Sequence, residues 1–120
     1  MKRKGGTGTR RKIPSYRSAL NKDDFKSSVR KWAVRLRVEP AQIRLQKMRS
    51  KWASCSPGRW ISFSNNLLGE SKPFRDYVIV HELLHLRIPN HGKLFRSLMS
   101  VYLPKWEKLA ESSRGLPLEP

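Results

Sequence analysis

Apolar residues after Asn21 recur at intervals of three and four, which is the spacing of one face of an α-helix. They are Phe25, Val29, Trp32, Ala33 and Leu36. Asp23 and Asp24 fall in the first turn, where the helix dipole favours acidic side chains. Pro40 closes the segment, so the pattern predicts a leading helix that ends before this proline.

Two short segments after the leading helix have the composition of β-strands. They are Ile43–Met48 (IRLQKM) and Arg59–Ser64 (RWISFS). The stretch between them is predicted to be a loop, because it contains the turn signal Ser56-Pro57-Gly58.

Three further helices are predicted in the C-terminal half. The first should begin at residues 71–73, since proline suits a first turn, and end near Arg87, because Pro89 blocks continuation. Apolar residues with helical spacing predict a second helix, which Pro104 stops. These apolar residues are Phe95, Leu98, Met99, Tyr102 and Leu103. A last short helix is predicted over residues 106–110.

The length of 120 residues is typical of a single domain whose hydrophobic core needs no disulfide bonds for stability. The lone cysteine, Cys55, excludes an internal disulfide and suits a reducing compartment. No apolar run approaches the ~18 residues of a membrane span, and the N-terminus lacks the apolar segment of a secretory signal. We therefore expect a soluble, cytoplasmic protein without membrane contact.

Lysine and arginine outnumber the acidic residues by 26 to 9, which gives a net charge of +17. Six of the basic residues lie in the first twelve positions, so we predict a flexible basic arm at 1–17, a domain at 18–112 and a tail at 113–120. The leading helix has a basic side as well, formed by Lys26, Arg30, Lys31 and Arg35. Such a surface either attracts a polyanion such as nucleic acid or is simply solvated, with no dedicated partner.

All three histidines lie in one segment, DYVIVHELLHLRIPNH (Asp76–His91). His81 and His85 are four residues apart, which places them on one face of a helix, where both can bind the same metal ion. Chain reversal at Pro89 can return His91 as a third ligand. The β-branched residues before the first histidine also permit a buried strand, but the continuous segment is too long for one.

Three protein ligands and one water are typical of catalytic zinc, whereas structural sites usually close with four ligands. Neutral imidazole suits Zn²⁺, which lowers the pKa of its water to about 7. Glu82 is placed to accept the proton of that water and pass it to a leaving amine. The motif therefore predicts metal-assisted amide hydrolysis. The alternative is a non-enzymatic basic nucleic-acid-binding module with a structural zinc, which would have no need of Glu82.

Several segments, taken in order, resemble the YgjP-like family of zinc metallopeptidases, which is related to the SprT-like proteases among the zincins. The resemblance covers about residues 25 to 107. The matching segments are RKWAVRLRVEP (Arg30–Pro40), RSKWASCS (Arg49–Ser56), ISFSNNLL (Ile61–Leu68), DYVIVHELLHLRIPNHGKLF (Asp76–Phe95) and YLPKW (Tyr102–Trp106).

The resemblance implies an α+β fold, a small zincin-like domain with the leading helix, a short antiparallel sheet, the active-site helix and C-terminal helices. It also implies Zn²⁺ held by His81, His85 and His91, with Glu82 as the general base and a protein or peptide as the substrate. The strand Arg59–Ser64 is expected to edge the cleft, where a peptide adds as an extra strand.

Three further residues need an interpretation. Ala53 stands where the family usually has glycine, which affects a close backbone approach. We interpret Cys55 as a buried structural thiol, because the histidines leave no need for a thiolate ligand. Tyr102 is a candidate for stabilising the oxyanion.

The basic excess also suggests an alternative function, an SprT-like protease recruited to nucleic acid through the arm and the helix face.

Overall fold

The computed structural model describes residues 20–111 and residue 113. The predicted arm at 1–17 and the predicted tail, apart from residue 113, lie outside the described residues, so this division of the chain stays a prediction. The described part has the predicted α+β architecture. Its elements are α1 (Lys22–Leu36), β1 (Gln42–Gln46), β2 (Ala53–Cys55), β3 (Trp60–Ser64), a 3₁₀ helix (Asn65–Gly69), α2 (Lys72–Leu84), α3 (Lys93–Tyr102) and α4 (Trp106–Glu111).

The leading helix α1 is capped at both ends. The Asn21 side chain accepts a hydrogen bond from the backbone N–H of Asp24 at 2.8 Å, and Arg37 ends the helix in the left-handed conformation at φ 58°. The predicted apolar face is buried, and within it the Trp32 indole donates to the Asp76 carboxylate of α2 at 3.1 Å. The helix α1 thus supports α2, the helix that contains His81 and ends just before His85.

The three strands form one mixed sheet in the order β1-β3-β2. The antiparallel arrangement expected from the sequence holds between β2 and β3, whereas β1 and β3 run parallel. The parallel pair arises because residues 47–52 carry the chain from β1 to the far side of the sheet, and β3 then returns between the two earlier strands.

The strand β2 lies in the stretch that was predicted to be a loop. It has only three residues, too few to show the alternation that identifies a strand in a sequence. Because β1 and β2 pair with opposite sides of β3, the strand β3 is central in the sheet. The prediction that a peptide adds to residues 59–64 as an extra strand is therefore wrong, because both edges of β3 are already paired, and β2 is an edge strand instead.

The helix α2 begins as predicted and is the most deeply buried helix of the fold. The Ser71 side chain accepts a hydrogen bond from the Phe74 backbone N–H at 3.3 Å, and Pro73 lies in the first turn. Every residue from Asp76 to Leu84 is buried. Each fully buried aliphatic side chain contributes about 1.5–3 kcal/mol, so this packing holds the helix firmly in place.

Regular helix α2 ends at Leu84, before the predicted end at Arg87. The last turn tightens, because the backbone N–H groups of His85 and Arg87 bond to carbonyls three residues earlier. The two remaining predicted helices are confirmed by α3 and α4. Within the described residues, no helix combines the length and the apolar character needed to cross a membrane.

Candidate metal centre

The three histidines come together where α2 ends and the chain reverses into α3. The Nε2 atoms of His81 and His85 lie 3.2 Å apart, those of His85 and His91 2.9 Å apart, and those of His91 and His81 3.2 Å apart. The reversal is held by the Asn90 side chain, which accepts a hydrogen bond from the Gly92 backbone N–H at 2.9 Å. The predicted constellation is therefore assembled in space by one helical turn and one short loop.

The ring of His85 is fixed in one tautomer. Its Nδ1 lies 3.0 Å from the Ile88 carbonyl oxygen. A carbonyl can only accept a hydrogen bond, so Nδ1 carries the ring proton and Nε2 presents its lone pair to the other two histidines. A backbone carbonyl that holds a ligand histidine in this way is a common feature of metal sites.

The nitrogen triangle fits a tetrahedral metal ion. Zinc–nitrogen bonds of about 2.0–2.1 Å at tetrahedral angles separate ligand nitrogens by about 3.3–3.4 Å. The observed separations of 2.9–3.2 Å are only a few tenths of an ångström shorter. Three ring nitrogens this close together suggest a metal ion. Within the described residues, His81, His85 and His91 form the group of side chains that could hold one.

Burial keeps two of the histidines in the neutral form that binds metals. It lowers the pKa of His81 to about 3, with further contributions from the neighbouring His85 and His91. Burial also lowers the pKa of His85, and His91 contributes in the same direction, although the bond to the Ile88 carbonyl opposes it. Near neutral pH neither ring carries a charge that would repel a cation.

Glu82 is fully buried and directly follows His81 in α2. Burial and then the charge of Glu82 raise the pKa of Tyr77 to about 12. Burial and the charge of Glu82 also raise the pKa of the Cys55 thiol, whereas the positive charge of Arg59 lowers it. Tyr77 and Cys55 line two different cavities at the histidines, so the charge of Glu82 acts on a group in each of them.

The site opens on two sides. On the side of α3 and α4 lie two cavities of about 260 Å³ and about 400 Å³, and near β2 lies another of about 370 Å³. The first is lined by Tyr77, His81, His91, Phe95, Arg96 and Trp106. The second is lined by His91, Gly92, Lys93, Arg96, Ser97, Ser100, Trp106 and Glu107. The third is lined by Cys55, Ser56, Pro57, His85 and Pro89. Cavities therefore reach the histidines both from β2 and from α3 and α4.

Phe95 supports all three imidazole rings. Its ring centroid lies 4.8 Å from that of His85 in a stacked arrangement, and 5.2 Å and 5.0 Å from those of His81 and His91. The sequence identified Phe95 only as part of an apolar helix face. Its position four residues after His91 is the signal that could have assigned it to the site.

Two other predicted roles change in the structure. Cys55 is half-buried rather than buried, and it lines a cavity beside His85 without joining the histidine cluster. Tyr102 packs edge-on against Trp32, with the ring centroids 6.4 Å apart, and lines none of the three cavities at the histidines. Tyr77, one helical turn before His81, is the tyrosine at the site, and its spacing of four was the sequence signal for it.

The chain is similar to a known protein family and to solved structures. A family model described as "YgjP-like, metallopeptidase domain" matches residues 3–112. The fold is similar to that of the metallopeptidase zymogen jannalysin from Methanocaldococcus jannaschii, with a TM-score of 0.68 and 24% identity over 74% of this chain and 92% of that chain. It is also similar to the metallopeptidase zymogen abylysin from Pyrococcus abyssi, with a TM-score of 0.63 and 16% identity over 73% and 90% of the two chains. No curated protein matches the sequence.

Proposed function

Since the chain belongs to the YgjP-like metallopeptidase family, we propose that it cleaves protein or peptide substrates with a zinc ion held by His81, His85 and His91. The observation that carries this proposal is the triangle of Nε2 atoms, with sides of 2.9–3.2 Å. Imidazole ligands suit zinc, and three of them leave the open position that catalysis requires.

Zinc, when bound, polarises a carbonyl group and acidifies a water molecule. The proton transfers are carried out by side chains of the protein. Glu82 follows the first histidine directly, and its charge acts on Tyr77 and Cys55, which line cavities at the histidines. We assign it as the general base, which takes a proton from the attacking water and delivers it to the leaving amine.

Tyr77 is the proposed donor to the oxyanion. Its pKa of about 12 keeps the phenol protonated, and it lines the 260 Å³ cavity together with His81 and His91. A preorganised donor in a site shielded from water stabilises the charge that develops on a substrate carbonyl. Tyr102 does not qualify, because its ring packs on Trp32.

We further propose that the substrate lies along β2. This strand is at the end of the sheet order, so one of its edges has no strand partner among the described residues. Its last residue, Cys55, lines a cavity with His85, which supports a substrate position close to the proposed metal ligands. An extended peptide that pairs with such an edge presents its backbone to the site irrespective of most side chains.

The test is Glu82→Gln, which keeps the shape of the side chain but cannot accept a proton. We expect zinc content and thermal stability to stay unchanged while peptide cleavage falls by about 10²-fold or more. Full activity of the variant would exclude Glu82 as the base. A wild-type protein that holds zinc but cleaves no member of a proteome-derived peptide mixture would favour the structural-zinc alternative.

A second candidate function, recruitment to nucleic acid, is favoured by the basic surface of α1. Lys26 and Arg30 line a groove of about 470 Å³ between α1 and β1, and Lys31 is exposed beside them. Arg35 differs, because its guanidinium lies over the Trp32 ring at 4.2 Å from the centroid. These cations would neutralise phosphates without reading bases, and salt-dependent binding is the corresponding test.

A further inference from the structure

Two of the cavities at the metal centre meet at the same three residues. The 260 Å³ cavity and the 400 Å³ cavity are both lined by His91, Arg96 and Trp106. A group bound in either cavity can therefore lie close to both a proposed metal ligand and Arg96. Both cavities are lined by residues of α3 and α4 and by none of β2, so a substrate that lies along β2 would reach them past the histidines.

Arg96 differs from several arginines that stabilise the fold. Arg59 and Arg87 donate hydrogen bonds to backbone carbonyls, and Arg35 and Arg44 lie over tryptophan rings. The Arg96 side chain is exposed, and within the described residues its guanidinium has no hydrogen bond or ion pair. It is therefore available to a ligand at the edge of the metal centre.

The charges around these cavities favour an anion. In the 260 Å³ cavity Arg96 is the charged residue, and the other lining groups are aromatic or imidazole rings. In the 400 Å³ cavity Lys93 and Arg96 oppose the single acid Glu107. Trp106, a wall of both cavities, is held in place because its indole N–H donates to the Ser100 hydroxyl at 3.0 Å.

We propose that Arg96 selects substrates with a carboxylate next to the scissile bond on the α3–α4 side, an inference that rests on the proposed peptidase function. A guanidinium binds a carboxylate through two parallel hydrogen bonds, which a lysine cannot reproduce. The cavity of about 260 Å³ is smaller than the ~300–1,000 Å³ typical of small-molecule sites, so it suits one side chain or a chain terminus. Phe95 and Tyr77 provide an apolar floor for the methylene groups of such a side chain.

The carboxylate has two possible sources, an acidic side chain or the C-terminus of the peptide. One set of fluorogenic peptides carries Glu, Gln or Lys on either side of the scissile bond, all with an amidated C-terminus. A second set carries Gln throughout and ends in a free carboxylate or an amide. Preference within the first set identifies an acidic side chain, and preference within the second identifies a chain terminus.

The variants are Arg96→Glu and, as a control, Arg49→Glu, which makes the same charge change at an exposed residue that lines none of these cavities. At about 150 mM salt, where the Debye length is about 8 Å, long-range attraction by the basic surface is largely screened. We expect wild type and Arg49→Glu to favour the carboxylate peptide over its neutral match by about 10- to 100-fold in kcat/KM. In Arg96→Glu the preference should disappear or reverse towards Lys.

Binding provides a readout that does not depend on cleavage. In a Glu82→Gln background, the same peptides are titrated by fluorescence polarisation, with and without Arg96→Glu. The inference is supported if the carboxylate peptide binds about tenfold or more tightly than its neutral match, and if Arg96→Glu abolishes this preference while Arg49→Glu does not. This support does not require that any peptide is cleaved. Equal effects of the two charge reversals, or no carboxylate preference in binding, would overturn it. Absence of cleavage with this binding preference intact would instead count against the proposed peptidase function.

Discussion

The two sides of the histidine cluster are built in different ways. His81 is buried in α2 at 7% exposure, between the rings of Tyr77 and Phe95. His91 is exposed at the chain reversal, next to Arg96 in two open cavities. We infer that both sides contribute metal ligands, that the buried side also handles protons, and that the exposed side contacts the variable part of the substrate.

The buried side is rigid because several elements converge on it. The helix α2 is packed against α1, where the Trp32 indole donates to the Asp76 carboxylate. The same carboxylate accepts from Lys72 at 2.7 Å. A side chain that is both packed and hydrogen-bonded in this way keeps its neighbours in position, which is what a metal ligand and a general base require.

The largest effect is expected from removal of the ligands. His81→Ala and His91→Ala should each weaken zinc binding by more than about 100-fold, which exceeds the usual cost of disturbing a residue behind a ligand. The two variants should differ in the metal-free protein. His81→Ala should lower the free energy of unfolding by about 1–3 kcal/mol, and His91→Ala by less than about 0.5 kcal/mol.

Chelator competition measures the affinities, and urea denaturation in the presence of chelator measures the metal-free stabilities. Equal losses of metal-free stability in the two variants would contradict the distinction between a buried and an exposed side. Unchanged zinc affinity in either variant would remove that histidine from the ligand set.

A smaller effect is expected from Tyr77→Phe, which removes one hydroxyl from the buried side. We expect kcat to fall by about 10²-fold, the usual loss for one oxyanion donor, while zinc content stays the same. Tyr102→Phe is the matched control, because the Tyr102 ring packs on Trp32 away from the centre. Similar activity of the two variants would show that neither phenol stabilises the oxyanion.

The histidine cluster was predictable because its geometry is local. One helical turn separates His81 from His85, and a six-residue reversal around Pro89 returns His91. Helical periodicity and the position of a proline were sufficient to infer that the three rings meet. The ends of the helices were also close to prediction, since capping residues and prolines act within a few residues of their own position.

The sheet and the exposed side of the site were less predictable. The parallel register, in which Ile43 lies opposite Ile61, depends on a crossover that no local pattern reveals. The role of Arg96 depends on the packing of α4 against the preceding helices, which brings Trp106 to the same cavities. Among many lysines and arginines of similar exposure, no sequence feature distinguishes this one.

The smallest effect is expected on nucleic-acid binding by the basic face of α1, which belongs to neither side of the histidine cluster. If it binds nucleic acid, replacing Lys26 and Arg30 by glutamine should reduce the slope of log affinity against log salt concentration by about 0.9 for each lost phosphate contact on duplex DNA. Replacing Arg49 and Lys108 by glutamine provides a control with equal loss of charge. No binding at about 50 mM salt, or equal slopes in both variants, would leave nucleic acid without support as a partner.

The central claim, that three histidines hold a zinc ion, is tested most directly by zinc X-ray absorption spectroscopy on protein with a measured metal content. We predict about one zinc per chain, a first shell of nitrogen and oxygen at about 2.0–2.1 Å, and the outer-shell scattering of three imidazole rings. Sulfur at about 2.3 Å would identify Cys55 as a ligand and contradict the account. Fewer than three imidazoles, or no stoichiometric metal, would contradict it as well.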